Sequence, residues 1–261
     1  MINSILKALD ILALFDTHHP RLSLAEISEL TQMPKSTAHA LLATLQSRGL
    51  VEKVDPDSYA IGNQIIVLAQ SARVNLEMRD RAAPHMRLLA DACHESVYLT
   101  VREEDCVLYI YAIETPRRLM ARTAVGDRVP MHCTANGKSI LASLSPSEIE
   151  YYVNRAGLPK FTQNTIVTLE ELQDEMGLAR QRGYALDRQE HEVGTYCVGA
   201  PIYDSTSHVI GACSISGLDP EIVGARLPLL VPQVQYTAQE ISRTMGFVHS
   251  MASQIISYPQ N

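Results

Sequence analysis

Residues 23–61 constrain this chain more than any other stretch, because they read as a capped helix, a turn, a second helix and a hairpin. Ser23-Leu24-Ala25-Glu26 has the form of a capping box, in which the hydroxyl meets the Glu26 N–H and the Glu26 carboxylate reaches back to Ser23. Leu24, Ile27 and Leu30 follow at helical spacing. After the turn Thr31-Gln32-Met33, Pro34 suits the first position of a new helix, where its missing N–H has no partner to lose. Ala38, Leu41, Leu42 and Leu45 mark one buried face at i, i+3, i+4, i+7, and Arg48-Gly49-Leu50 ends the helix. Two short helices in this arrangement match a helix-turn-helix, which implies contact with DNA.

The other face of the second helix sharpens that implication. Ser36, Ala40, Ala43 and Ser47 form a stripe of small side chains, flanked by Thr37 and Thr44 on one side and by His39 and Gln46 on the other. Small residues let a helix sink into a major groove, and the flanking groups can reach base edges or phosphates. Between Thr31 and Leu50 there are two cations, Lys35 and Arg48, and no carboxylate. An ordinary solvent face would carry Glu/Lys pairs. The candidate DNA contacts here are Lys35, Ser36, Thr37, His39, Ala40 and Gln46. Val51–Val54 and Tyr59–Ile61 then flank the turn cluster Asp55-Pro56-Asp57-Ser58 as a hairpin. In that position it is a wing, with Lys53 and Ser58 as candidate phosphate contacts; a plain hairpin closing the small core is the alternative.

At 261 residues the chain has room for two domains. It has no run of 18 apolar residues, the length a membrane span needs. Met1–Phe15 is apolar, but Asp10 interrupts it and it has no basic start. Ile5, Leu6, Leu9, Leu12 and Ala13 give it a helical stripe, so it reads as a first domain helix rather than a signal peptide. Five scattered cysteines without a C-x-x-C pair suggest reduced thiols in a cytoplasm. The net charge is −7, while residues 1–75 hold six Lys/Arg and seven Asp/Glu. So few cations imply weak nonspecific DNA binding, and hence two recognition helices acting together in a dimer on a two-fold site.

Past Gly62 the helical period returns, with a connecting helix to about Asn75 and another over roughly Met78–Ala92 that contains Pro84. The period then changes to two. Ser96–Val101 and Cys106–Ile113 form a hairpin, and Arg118–Val125 reads as a third strand. Helices follow at Ala135–Leu144, after Ser145-Pro146-Ser147-Glu148, and after Thr168, which pairs with Glu171 as a second capping box and whose helix ends near Gly183. Tyr196–Tyr203 and Val209–Ser216 are further strands, and Leu229–Met245 is a final amphipathic helix. Residues 78–250 are therefore expected to be an α+β domain on an antiparallel sheet.

The large domain carries two chemical clusters. Thr134-Ala135-Asn136-Gly137-Lys138-Ser139 holds the Gly-Lys-Ser end of a phosphate loop, but the glycine required five residues before Gly137 is His132, so nucleotide hydrolysis is excluded. What remains is a helix N-terminus suited to a carboxylate or other small anion, or simply a capped helix start. The second cluster, Asp187–Cys197, joins His132 and Cys133 in offering His, Cys and carboxylate groups. Their spacing follows no zinc pattern, so neither metal nor cofactor is expected. Cys197 and His191 form a nucleophile pair on paper, which keeps open a hydrolase or transferase fused to a DNA-binding head; no third catalytic partner is placed.

Taken together, the chain resembles the IclR family of bacterial transcription regulators. The resemblance rests on Leu22–Ile27, Met33–Thr37, Tyr59–Gly62, Pro130–Lys138, Arg182–Asp187, Glu190–Cys197 and Ser214–Gly217. It implies a winged helix-turn-helix over 1–62, a linker helix over 63–77, a GAF-like effector domain over 78–250 and a tail over 251–261. It also implies a cytoplasmic homodimer, often a dimer of dimers, on double-stranded operator DNA. A small organic or aromatic acid from a catabolic pathway would act as effector, with repression and activation both open. By the same resemblance, Thr134, Ala135, Asn136, Asp187, Thr195, Cys197, Ser214 and Ser216 should line the effector pocket. Ala40 stands where family members often carry Arg, so one common DNA contact is missing and the preferred operator can differ.

Overall fold

The computed structural model describes residues 2–16, 19–70, 73–115 and 125–247, without the side chains of 69–76. It divides into two compact units, Met1–Leu76 and Glu77–Asn261.

The first unit contains α1 (Asn3–Ala13), β1 (Leu22–Ser23), α2 (Leu24–Leu30), α3 (Lys35–Ser47), β2 (Val51–Asp55), β3 (Ser58–Ile61) and α4 (Gln64–Gln70). Ile11, Leu22, Ile27, Ala38, Leu42, Leu45, Val51 and Tyr59 form its core. The capping box at the start of α2 is complete: Ser23 N–H donates to Glu26 Oε2 at 2.7 Å, and Glu26 N–H donates to Ser23 Oγ at 3.2 Å. Pro34 is the N-cap of α3 rather than its first residue, since its ψ of 139° is still extended.

At the other end of α3 the Leu50 N–H bonds the Leu45 carbonyl and the Gly49 N–H bonds that of Gln46. Gly49 makes this closure possible at φ +68°, a left-handed position that costs other residues roughly 1–2 kcal/mol. The wing is antiparallel, and β1 joins it in the order β1-β3-β2. Two-residue β1 carries no periodicity of its own and was not legible in the sequence.

The second unit is built on a six-stranded sheet, antiparallel throughout, in the order β6-β5-β4-β9-β8-β7. Its strands are β4 (Ser96–Glu103), β5 (Cys106–Ile113), β6 (Arg128–Pro130), β7 (Ala185–Arg188), β8 (Tyr196–Tyr203) and β9 (Val209–Gly217). The helices are α5 (Arg73–Cys93), which spans the division between units, then α6 (Ala135–Leu141), α7 (Pro146–Ala156), α8 (Leu169–Arg182) and α9 (Leu227–Thr244). Alternation along the strands separates two cores. Val97, Leu99, Val198, Cys213 and Ile215 pack with Met86 and Leu89 of α5 and Val234 and Ile241 of α9. Tyr98, Tyr109, Ala185 and Ala212 face Ile140 and Leu141 of α6, Tyr152 of α7 and Met176 of α8.

Several boundaries differ from expectation. β6 and β7 are edge strands too short to show a period in the sequence, and the expected strand Arg118–Val125 falls almost wholly outside the described residues, as does the tail. Helix α6 stops at Leu141, and α5 passes through Pro84 without ending. At the start of α8 the Thr168 hydroxyl accepts from the Glu171 N–H and donates to the Glu171 carboxylate at 2.9 Å. No helix among the described residues is long and apolar enough to cross a membrane.

Candidate functional site

In the first unit α3 turns Ala38, Leu42 and Leu45 into the core. Lys35, Ser36, His39, Ala40, Ala43, Gln46 and Ser47 are exposed on its other side, and Thr37 is half-buried. The small-residue stripe is thus open to solvent, as a groove-facing helix requires. Thr44 and Ser47 donate their hydroxyls back to the Ala40 and Thr44 carbonyls at 2.9 and 2.7 Å. On the wing, Lys53 is exposed with its ammonium 6.0 Å from the Tyr59 ring centroid. Ser58 is half-buried and donates to Asp55 Oδ2 at 3.1 Å, so its hydroxyl is partly committed.

The second unit contains a cavity where α6 meets the sheet face that carries Tyr98 and Ser214. It is lined by Thr134, Ala135, Asn136, Asp187, Thr195, Cys197, Ser214 and Ser216, the eight residues that the family resemblance implied, together with Tyr98, Tyr109, His191 and Glu192. The sheet's pleat explains the grouping. Cys197, Ser214 and Ser216 share one face of neighbouring strands, with Cys197 paired to Ser216 in register and its Sγ 2.8 Å from Ser216 Oγ. Asp187 sits opposite Cys197 on β7. Thr134 caps α6 by accepting the Gly137 N–H at 3.2 Å and donates its hydroxyl to the Pro130 carbonyl at 3.2 Å. Gly137 lets α6 approach the chain closely, since a Cβ there would lie 2.3 Å from Met131 Cα.

Asn136 differs from the rest of this wall. It is 1% exposed, and among the described residues neither Nδ2 nor Oδ1 of its amide has a hydrogen-bond partner. The unfilled space in the cavity is about 30 Å³, room for one or two water molecules. His191 and Glu192 form its half-exposed edge. Among the described residues the lining includes the carboxylates Asp187 and Glu192 and no Lys or Arg; Arg117, Arg118 and Arg122 lie outside the described residues.

The lysine of the phosphate-loop fragment points elsewhere. Lys138 is wholly buried and its Nζ meets both carboxylate oxygens of Glu190, so it is not a phosphate ligand. Asp187 Oδ1 accepts the Glu190 N–H at 2.7 Å, and the Thr165 hydroxyl donates to the Glu190 carbonyl at 2.6 Å. The segment after β7 is therefore held from three sides.

His132 is also satisfied: Nε2 lies 3.1 Å from the Pro159 carbonyl, and Nδ1 lies 3.2 Å from the Tyr152 hydroxyl. Burial holds the His132 imidazole below its ordinary pKa, pushes the Cys133 thiol up and raises the Tyr152 phenol to about 12. His191 packs on Phe161, with ring centroids 5.0 Å apart, and burial lowers its pKa as well. Among the described residues no group of three or more His, Cys, Asp or Glu is arranged to hold a metal ion.

Comparison with known proteins matches both units to one family. The IclR helix-turn-helix domain model covers residues 4–55, and the model of the C-terminal domain of bacterial IclR transcriptional regulators covers 70–243. The HTH-type transcriptional regulator KipR of Bacillus subtilis is 32% identical over 244 residues, covering 94% of this chain and 97% of KipR. This chain belongs to the IclR family.

As an IclR-type transcription regulator it shares its architecture with solved relatives. The Thermotoga maritima IclR crystal structure matches with a TM-score of 0.81 at 30% identity, over 95% of this chain and all of that one. An IclR homologue from Microbacterium hydrocarbonoxydans, crystallised with 4-hydroxybenzoate, has the same fold, with a TM-score of 0.83 at 22% identity over 93% of this chain and 99% of that one. The relatives are named as transcriptional regulators, and Cys197 and His191 both line the cavity, with Cys197 Sγ against Ser216 Oγ. Tyr98 and Tyr109 also line it, although nothing in a strand of mixed aromatics says which ring faces the cavity.

Proposed function

We propose that this regulator binds operator DNA through α3 and the wing, and that a small organic effector in the α6 cavity adjusts that binding. The contacts we assign to DNA are Lys35, Ser36, Thr37, His39, Ala40 and Gln46 on α3, with Lys53 and Ser58 on the wing. Their exposure supports the assignment, together with the absence of any carboxylate between Thr31 and Leu50. The effector contacts we assign are Thr134, Ala135, Asn136, Asp187, Thr195, Cys197, Ser214 and Ser216.

The observation that carries the effector reading is the unpaired, buried amide of Asn136 in a wall otherwise rich in hydroxyls. Buried polar groups in folded proteins are paired, and an exception marks a site that something else completes. An organic or aromatic acid is the effector class we propose, in keeping with the 4-hydroxybenzoate complex of the Microbacterium homologue. Since the unfilled space is far smaller than such a molecule, binding moves the wall, most simply at the half-exposed His191 and Glu192.

The mechanism is a population shift. An effector changes DNA affinity only by binding one arrangement of the protein better than another. A dimer presents two copies of α3 to a two-fold site, and the shift alters how well both engage at once. The sign, repression or activation, depends on which arrangement the effector prefers. The protein acts in the cytoplasm, where its DNA is. Thermal unfolding of the full chain against a panel of catabolic acids tests the reading, because a ligand of the folded state raises the melting temperature. A panel member that raises it in wild type but not in Ser214→Val supports the cavity, whereas equal shifts in both count against it.

A further inference from the structure

Asn136 is held where it is. Thr134 caps the helix immediately before it, Gly137 packs against the Met131 backbone immediately after it, and Lys138 is anchored on Glu190. The backbone that carries the side chain is therefore fixed, and two polar neighbours in the lining are engaged elsewhere: the Thr134 hydroxyl spans Gly137 and Pro130, and Asp187 Oδ1 takes the Glu190 N–H. Because both amide atoms lack a partner among the described residues, exchanging nitrogen and oxygen in the assignment leaves the conclusion unchanged. The cavity thus presents one donor and one acceptor side by side, with no protein partner for either among the described residues.

We propose that Asn136 is a specificity-determining residue of this cavity, and that the effector places against it an uncharged group that both donates and accepts a hydrogen bond, a hydroxyl or a carboxamide. The proposal rests on the effector reading of the cavity and narrows it to hydroxy acids or carboxamide-bearing acids. A carboxylate only accepts, which leaves Asn136 Oδ1 unpaired; an ammonium only donates, which leaves Nδ2 unpaired; an alkyl group leaves both. Sites built to hydrogen-bond a ligand group reject analogues that lack it, because the buried partner is then left unpaired.

The test uses the full chain, wild type and Asn136→Leu, a change that keeps the number and branching of side-chain heavy atoms. Without ligand, Asn136→Leu is expected to melt at or above the wild-type temperature, because it removes an unpaired buried amide. A melting temperature lowered by more than about 4 °C means that the fold or its water already satisfies Asn136, and overturns the proposal. With 4-methylbenzoate, 4-hydroxybenzoate and 4-carbamoylbenzoate as one probe set, and propionate and lactate as another, titration calorimetry reads the preference directly.

Wild type is expected to favour the hydroxyl or carboxamide member of a set by about tenfold or more, and Asn136→Leu to abolish or invert that order. If no such member binds wild type at millimolar concentration, or if the order survives in Asn136→Leu, the assignment is wrong. Ser214→Val separates the two levels. Binding weakened by Ser214→Val with an order indifferent to Asn136→Leu keeps the cavity and removes the role of Asn136. Binding indifferent to both removes the effector site itself.

Discussion

Lys138 Nζ lies 2.5 Å and 2.6 Å from the two carboxylate oxygens of Glu190, with the lysine wholly buried. This pair ties the helix that forms one wall of the cavity to the segment that carries His191 and Glu192 at its edge. Glu175 extends it, with Oε1 3.8 Å from Lys138 Nζ and 2.6 Å from Arg182 Nη2. Glu190→Ala leaves a buried ammonium short of its main counter-charge and should cost about 3–5 kcal/mol, while Lys138→Met with Glu190→Leu should cost much less than that. Urea denaturation of the three chains checks this; a double variant as unstable as the single one would contradict the coupling.

Gly137→Ala should damage the same wall by sterics alone. The new Cβ would meet Met131 Cα at 2.3 Å and its carbonyl oxygen at 2.4 Å, and backbone cannot yield as a side chain tip can. A loss of about 1–3 kcal/mol or more is expected, read from the denaturation midpoint. A midpoint like that of wild type would show that α6 can shift, and would weaken the case that Asn136 is rigidly presented.

On the DNA side, Lys35→Ala and Thr37→Ala should weaken binding to a duplex selected from a random pool, with thermal stability unchanged because Lys35 is exposed and Thr37 is only half-buried. For Lys35→Ala the salt dependence of log K should flatten by roughly one unit if its ammonium neutralises a phosphate. Fluorescence anisotropy over a salt series checks both, and wild-type affinity in either variant would displace that residue from the interface.

The histidines give the domain a pH signature. Burial holds the pKa of His132 and of His191 below the ordinary imidazole value. As pH falls past about 6.5, the unfolded chain takes up protons that the folded chain refuses. The stabilisation is therefore full above that pH and is lost on descending towards the folded-state values. Melting temperatures from about pH 8 to about pH 5.5 should fall in wild type and fall less steeply in His132→Asn. A flat profile in wild type would contradict the burial of these rings.

The legible parts of this molecule were those with local physical signatures. The Ser23–Glu26 cap, the leucine face of α3 and the Gly49 closure each reside in a few adjacent residues, so the recognition helix could be drawn from sequence within one residue. The cavity residues came from resemblance, and their common face follows from a period of two on β8 and β9. Tyr98 and Tyr109 were out of reach for a specific reason. Tyr109 and Tyr111 have the same parity, yet Tyr109 packs in the core beside the cavity and Tyr111 against the opposite one. The register shift between Leu99 and Thr100 pairs Leu99 with Tyr111 and Thr100 with Tyr109, skipping Ile110. A bulge of that kind leaves no trace in an apolar run. The Lys138–Glu190 pair was equally hidden, since 52 residues separate its members.

On the proposed mechanism, occupancy of the α6 cavity and DNA affinity of α3 are linked. The most direct test of that linkage is the dissociation constant of the full chain for its selected duplex, measured with and without a saturating ligand identified by thermal shift. Linkage gives a change of roughly 5–150-fold in wild type and little or none in Asp187→Ala, with apo affinities for DNA alike in the two chains. A wild-type protein that binds the ligand in the cavity and holds DNA equally well in both states would contradict it.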